Sequence, residues 1–312
     1  MSYCAVNFAL KDFCPDIEDV KAVESAGGDE GAVQNGGGKP EAVFFRFARN
    51  GKFADDLPLC GISLINAGSM RFRWNETNPN RRRFFSGCGI NYKNVVPVEL
   101  VHSKKVCAVS SVPLIPSANP AQAELTRFSP ESGMIADGVI SRNPELVPAV
   151  TVADCMPLYL FDPVSGAGGV VHSGWKGTGI VAEAINLAKV LYGAKAEDFC
   201  VVIGPCIDDC CYNVDAARAE YFSSNFGGGC VKKIENPQNP DFPFQLSLRK
   251  ANLFVLQNAG VKAENVAVCT DCTSCSPFLG SHRRQTRHLP ASIDLDTRLK
   301  SFTPMAAFLK RV

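Results

Sequence analysis

Cys155 and His172 stand in two apolar runs, one on each side of a glycine-bearing turn, within TVADCMPLYLFDPVSGAGGVVHSGWKGTG at residues 151–179. Short apolar runs bounded by a turn read as paired strands, which puts the thiol and the imidazole at neighbouring strand ends. His102 closes another apolar run, VVPVELVH, just before a polar Ser-Lys-Lys turn. A thiolate and two imidazoles are what a borderline transition metal takes from a protein. Three protein ligands with a vacant fourth position make a catalytic site, not a structural one. The long separations between His102, Cys155 and His172 argue against a zinc-finger knuckle and suit ligands gathered from separate strands. The same atoms have a second use, with Cys155 as nucleophile and His172 as base, oriented by Asp154 or Asp162. Residue types alone leave both open. Taken singly, each also has the ordinary reading of a buried thiol or a satisfied strand-end histidine.

Other groups add candidate chemistry. Gly174, Gly177 and Gly179 open a helix after His172, and exposed backbone N–H groups at a helix start favour an anion, with Lys176 adding charge. Trp175 offers a face for a flat ring, or fills the core. Arg81, Arg82 and Arg83 fall in the first turns of a helix over Asn78–Cys88, where a solvated face is the plain expectation. Cys269, Cys272 and Cys275 have metal-ligand spacing, with a fourth ligand to be drawn from Cys206, Cys210 or Cys211, or else they are reduced thiols in a loop. Arg283, Arg284 and Arg287 beside His282 and His288 form the densest basic cluster, able to grip phosphate bidentately or to end as a solvated terminus.

These residues need a scaffold, and the bulk numbers allow one. With 312 residues and 46% hydrophobic content, the chain can bury a sizeable core in one α/β domain or two. The formal charge of +1 gives no general reason to bind nucleic acid or an anionic membrane. No run approaches the ~20 apolar residues of a membrane span. The first residues, MSYCAVNFALKDFCPD, lack a basic start and a long apolar stretch, so no signal peptide is expected. A cytoplasmic setting follows, in which the 14 cysteines are mostly thiols or metal ligands. Residues 1–24 read as a short strand and short helix, and Ser25–Lys39 as a glycine-rich loop. We expect residues 1–41 as an extension and 42–312 as the main domain. Strands are expected at Ala42–Ala48, Cys60–Ala67, Ala136–Ser141, Cys200–Gly204 and Val266–Cys269. Val95–Ala108 reads as strand, turn, strand, and Val109–Pro130, with four prolines, as an irregular loop. Helices are expected at Thr178–Tyr192, Asp215–Phe226 and Leu248–Ala259. Hairpin links among these strands imply mixed sheets.

From about Asn80 onward the chain resembles the laccase-domain family, also described as YfiH-type or multicopper polyphenol oxidoreductase-like. The resemblance rests on Asn80-Arg81, on Val101-His102-Ser103, on Asp137, on TVADCMP at Thr151–Pro157 and on HSGWKG at His172–Gly177. It continues in IGPCIDDCCYNV at Ile203–Val214, Cys269-Thr270 and SHRR at Ser281–Arg284. The combination of ADC and HxGW is the specific part. Departures are Leu100 and Ser103 beside His102, a blurred turn at Arg46–Gly51, Gln245 where aspartate is usual, and Gln285 after SHRR. The resemblance implies a four-layer α/β/β/α fold with mixed sheets and an open zinc site on His102, Cys155 and His172. It also implies zinc-dependent purine nucleoside phosphorolysis to free base and ribose-1-phosphate, with adenosine deamination as a side activity.

On that reading Lys176, Arg81, Ser281, Arg283 and Arg284 are expected to hold phosphate or substrate. Cys155, Asp154 and Lys176 are expected in the chemistry, with Asp154 as the acid or base. The partners are a purine nucleoside and phosphate, with no nucleic acid or membrane, and the chain is a monomer or homodimer. The runner-up is a Cys155/His172 hydrolase or amidase acting on cell-wall peptide intermediates. Copper oxidation of phenols ranks last, because four histidines are too few to hold several coppers. A pocket that only binds ligand is the non-enzymatic reading.

Overall fold

The apolar runs flanking the Gly166 turn form an antiparallel hairpin, Met156–Phe161 against Gly168–Ser173, in a computed structural model. The structure describes residues 3–19, 39–74, 76–110, 134–290 and 292–311. The glycine-rich stretch expected after Ser25 and most of the proline-rich loop expected over 109–130 lie outside the described residues. Gly166 sits at φ 74°, a left-handed conformation that lets the chain reverse between the strands.

The hairpin lies inside a seven-stranded sheet. Its order is Val6–Phe8, Val266–Cys269, Cys200–Ile203, Met156–Phe161, Gly168–Ser173, Gly138–Ser141 and Val106–Ala108. The three pairs around the hairpin are antiparallel, while the outer pairs are parallel, so the sheet is mixed. Val6–Phe8 supplies one edge, and the short 3-10 turns after it bury Leu10 and Ile17 in the same core. A five-stranded sheet runs Ala42–Arg46, Leu59–Ser63, Met305–Lys310, Val147–Val152 and Val95–Pro97.

Strand periodicity explains why both faces of the large sheet are apolar. Tyr159, Val170 and Val202 point to one face and pack with Phe45, Ile62, Val150 and Leu309 of the second sheet. Leu158, Leu160, Val201 and Ile203 point to the other and pack with Ile180, Val181 and Ala184 of the helix Ile180–Tyr192 and with Leu248 and Leu256 of the helix Leu248–Ala259. The second sheet's far side is covered by Phe84 and Phe85 of the helix Pro79–Gly87, both edge-on to Phe308. Gly61 is required there, because a Cβ would run into the Phe308 ring. Between the sheets, the buried Tyr159 hydroxyl donates to the Gly61 carbonyl at 3.0 Å, a polar tie in an apolar layer.

The helix at Pro79–Gly87 starts as its sequence suggests. The Asn78 side chain accepts from Asn80 N, and Pro79 occupies a first-turn position where no N–H is needed. The other expected helices also form, at Ile180–Tyr192, Ala216–Phe226 and Leu248–Ala259, with Asp215 and Ser247 as caps of the last two. One expectation is corrected. The runs at 95–97 and 106–108 are not paired with one another; they belong to different sheets. The segment between them crosses from one sheet to the other, and His102 rides on that crossing. The central strand Met305–Lys310 was not anticipated.

Candidate functional site

Hairpin register brings Cys155 and His172 together. Pro157 pairs with His172 and Met156 with Ser173, so Cys155, one residue before the strand, lies at the same end as His172. The following turn is built close against them. A Cβ on Gly174 would stand 2.9 Å from the Cys155 sulfur, and one on Gly177 would stand 2.8 Å from the Ser103 carbonyl. Glycine at these positions lets the helix entrance approach both the thiol and the His102 segment.

Asp137 joins the two histidines. Its carboxylate, fully buried, accepts from His102 N at 2.8 Å, Ser103 N at 2.6 Å and Ser103 Oγ at 2.7 Å, while its carbonyl accepts from His172 N at 2.6 Å. Burial pushes the Asp137 carboxyl up, but the nearby His172 ring and the hydrogen bonds from Ser103 outweigh it and leave it below its usual value. His172 Nδ1 lies 3.4 Å from Asp137 Oδ1, within ion-pair range but not aligned as a hydrogen bond. The rings of His102 and His172 meet edge to face at 5.2 Å. Burial disfavours charge on His172, yet Cys155 and Asp137 together raise it to about 9. Desolvation and then the charge of His172 lower the pKa of His102.

The donor set fits a zinc-class ion. One sulfur and two imidazoles converge, a buried carboxylate stands behind one of the rings, and a buried ring nitrogen of His172 has no aligned partner. The three donors are not as tightly gathered as another group. Among the described residues, the cluster with all donor atoms within 4.8 Å of one another is Cys210, Cys211, Cys272 and Cys275.

The His102, Cys155 and His172 side chains line a cavity of about 440 Å³, within the range of small-molecule sites. Phe72, Trp175, Tyr212 and Phe302 give it aromatic walls, and Arg71, Arg73 and Arg283 give it cations. Trp175 is partly exposed and carries the Arg218 guanidinium 4.4 Å from its ring centre. Glu99 accepts from Arg73 NH1 at 2.6 Å and from Trp74 N at 3.2 Å. A larger groove of about 840 Å³ runs between the helices Ile180–Tyr192 and Leu248–Ala259, but no cysteine or histidine lines it.

The expected site residues divide. His102, Cys155, His172, Asp154 and Arg283 line the cavity. Asp154 holds φ at 80° and has both carboxylate oxygens engaged, one by Thr273 Oγ1 at 2.7 Å and one by Arg283 N at 2.6 Å. Lys176 is exposed, with its ammonium 5.4 Å from the Trp175 ring centre, and is not part of the lining. Ser281 is buried as the cap of the helix His282–Thr286. Arg284 donates to the carbonyls of Thr273, Ser276 and Leu279, so its guanidinium holds a turn.

Arg81 departs furthest from expectation. It is neither on a solvated face nor in the cavity, but buried with its guanidinium 5.0 Å from the Phe72 ring centre, donating to Met70 O at 2.7 Å. The cations that do face the cavity near it, Arg71 and Arg73, alternate with Phe72 and Trp74 in RFRW. That pattern was the available signal for them, and Asp137 was visible as part of the family resemblance but not as the partner of both histidines.

Fold and site thus define a mixed α/β protein with a Cys/His/His pocket at the end of a hairpin. A family profile described as multi-copper polyphenol oxidoreductase laccase matches residues 73–289, and the chain belongs to this family. It is 30% identical over 225 residues to human purine nucleoside phosphorylase LACC1, a match covering 70% of this chain and 46% of that protein. It is 34% identical over 156 residues to purine nucleoside phosphorylase YlmD of Bacillus subtilis, covering 47% of this chain and 53% of that one. The chain spans about half the length of these curated relatives. Adenosine deaminase RL5, from an unknown prokaryotic organism, is 31% identical over 140 residues, covering 45% of this chain and 53% of its own. The crystal structure of YfiH from Bacillus licheniformis superposes with a TM-score of 0.64 at 22% identity, over 82% of this chain and 93% of that one, a likeness of fold. No helix among the described residues is long and apolar enough to cross a membrane.

Proposed function

We propose that the chain is a zinc-dependent purine nucleoside phosphorylase, acting on adenosine, inosine or guanosine to release the free base and ribose-1-phosphate. The observation that carries this reading is one cavity uniting the Cys/His/His donor set, four aromatic rings and three arginines. The relatives named purine nucleoside phosphorylase support it.

The aromatic rings suit a purine, which is flat and weakly polar, so stacking binds it at little cost in desolvation. Arg73, Arg71 and Arg283 suit phosphate, since guanidinium groups present paired donors to its oxygens. A phosphate oxygen then forms a bond to the ribose C1′ as the bond from C1′ to the purine nitrogen breaks. The electron pair leaves with the purine, which takes up a proton. His102, Cys155 and His172 would hold a zinc ion, which would supply Lewis-acid stabilisation of negative charge. Cys155 serves as a thiolate ligand, not as a nucleophile.

Asp154 takes a different part from the acid or base expected of it. With both oxygens engaged, it fixes Arg283 through its backbone N–H and ties Thr273 to the pocket wall. It is a positioning residue. Asp137 positions both histidines from behind. Adenosine deamination in the same cavity replaces the exocyclic amine with oxygen from water and releases ammonia, in line with the deaminase relative.

The test is to incubate zinc-replete protein with adenosine, inosine or guanosine and inorganic phosphate. Free base and ribose-1-phosphate are expected in equal amounts. Absence of turnover with all three nucleosides sinks the reading.

A further inference from the structure

The four-cysteine cluster lies outside the pocket and has no part in the reaction above. Cys210 and Cys211 come from the loop after the strand Cys200–Ile203, and Cys272 and Cys275 from the loop after its parallel neighbour Val266–Cys269. Their sulfurs lie 3.4 Å apart for Cys211 and Cys275, 3.7 Å for Cys210 and Cys275, and 3.8 Å for Cys210 and Cys211. Four thiolates at about 2.3 Å from one zinc ion form a tetrahedron with edges of about 3.8 Å. All four sulfurs lie within 4.8 Å of one another, so the space between them suits one ion and no larger cluster.

The backbone is shaped for the same purpose. Cys275 N and Ser276 N both donate to Cys272 O, at 3.1 and 3.0 Å, a tight turn that carries Cys272 and Cys275 at knuckle spacing. Cys211 N and Tyr212 N both donate to Asp208 O at 2.9 Å, folding the opposite loop. Asp208 N points at the Cys272 sulfur at 3.5 Å, and Thr273 N donates to Cys206 O at 3.0 Å, so the two loops are already laced together.

We propose that Cys210, Cys211, Cys272 and Cys275 form a second metal site, a closed tetrathiolate centre for a single zinc ion with a structural role. Its place explains the role. Ile207 and Tyr212, on one loop, line the substrate cavity, and Thr273, on the other, holds Asp154 at 2.7 Å. An ion joining the loops clamps that cavity wall from behind. Four protein ligands leave no open position, so the centre itself does no chemistry.

The proposal stands independently of the reaction assigned to the pocket, and its test separates the two metals. Zinc is measured by mass spectrometry on the full chain purified under reducing conditions, for wild type, His102→Ala, and His102→Ala combined with Cys211→Ser and Cys275→Ser. The His102→Ala protein is expected to keep one zinc per chain, and the triple variant to keep none. A second measurement needs no variant. Cys210 and Cys275 are exposed and Cys211 is half-buried, so in the absence of metal they are accessible to iodoacetamide. In wild type they are expected to be protected until a chelator is added. A folded His102→Ala protein without zinc overturns the proposal. So does immediate alkylation of these cysteines in zinc-replete wild type, or a disulfide between Cys211 and Cys275 in peptide maps.

Discussion

The backbone N–H of His102 donates to Asp137 Oδ1 at 2.8 Å, and His102 sits at φ 58° beneath that bond. A non-glycine residue in the left-handed region is held there by its surroundings. Here the hold is one buried carboxylate, which also accepts twice from Ser103. The loop crossing between the two sheets is thereby turned so that the His102 ring meets the His172 ring.

Asp137→Asn tests that hold. An amide presents one acceptor oxygen where the carboxylate presents two, so the His102 turn and the support behind His172 loosen together. Zinc affinity of the pocket is expected to fall about 10- to 100-fold, as for other residues that orient metal-bound histidines. A competition titration against a chromogenic chelator measures it, with Cys211→Ser and Cys275→Ser in the background to remove the second site. Unchanged affinity contradicts the role given to Asp137.

Arg283 and Lys176 are separated by their placement. Arg283 lines the cavity, whereas Lys176 is exposed beside Trp175. Arg283→Met is expected to raise the KM for phosphate about tenfold or more, since a hydrogen bond to a charged group contributes about 1.5–3 kcal/mol. Lys176→Met is expected to leave it within about twofold, the residue being solvated. Initial rates at saturating nucleoside and varied phosphate decide between them, and equal effects refute the assignment.

Glu99 gives a pH signature. Hydrogen bonding to Arg73 holds its carboxyl below the usual value. A depressed folded pKa means the stabilisation is complete above the unfolded value of about 4.3 and is lost as pH falls through the folded value. Wild type is therefore expected to exceed Glu99→Gln in stability at neutral pH, by less than about 1 kcal/mol because the pair is partly exposed. The difference disappears in acid below the folded pKa. Urea unfolding of both proteins across that range checks it, and a gap that widens toward acid pH rules the account out.

Tyr159→Phe probes the tie between the sheets. It removes a buried donor from the Gly61 carbonyl while keeping the ring against Phe45. A loss of about 1 kcal/mol is expected, the usual net worth of one hydrogen bond. Denaturant midpoints measure it, and a more stable variant counts against the tie.

The hairpin that sets Cys155 beside His172 was legible in the chain, because two apolar runs around a glycine-bearing turn leave little alternative. The capped helices were legible too, since Asn78, Asp215 and Ser247 act on backbone groups a few residues away. Such features rest on short-range hydrogen bonding and periodicity, which sequence order carries directly. The direction of a long cationic side chain is not of that kind. Arg81 and Arg73 lie eight positions apart in similar aromatic company. One is buried over Phe72 and the other faces the cavity, because packing of the helix Pro79–Gly87 on the second sheet decides which side each can reach. Likewise the runs at 95–97 and 106–108 look alike along the chain, and only the pairing of each with a distant partner sends them to different sheets. The spacing of Cys269, Cys272 and Cys275 left a metal site and reduced thiols both open, and it included Cys269, which is buried at the end of its strand and outside the cluster. The parallel pairing of Cys200–Ile203 with Val266–Cys269 brought the two loops together, and tertiary structure alone determined that Cys210 and Cys211 join Cys272 and Cys275.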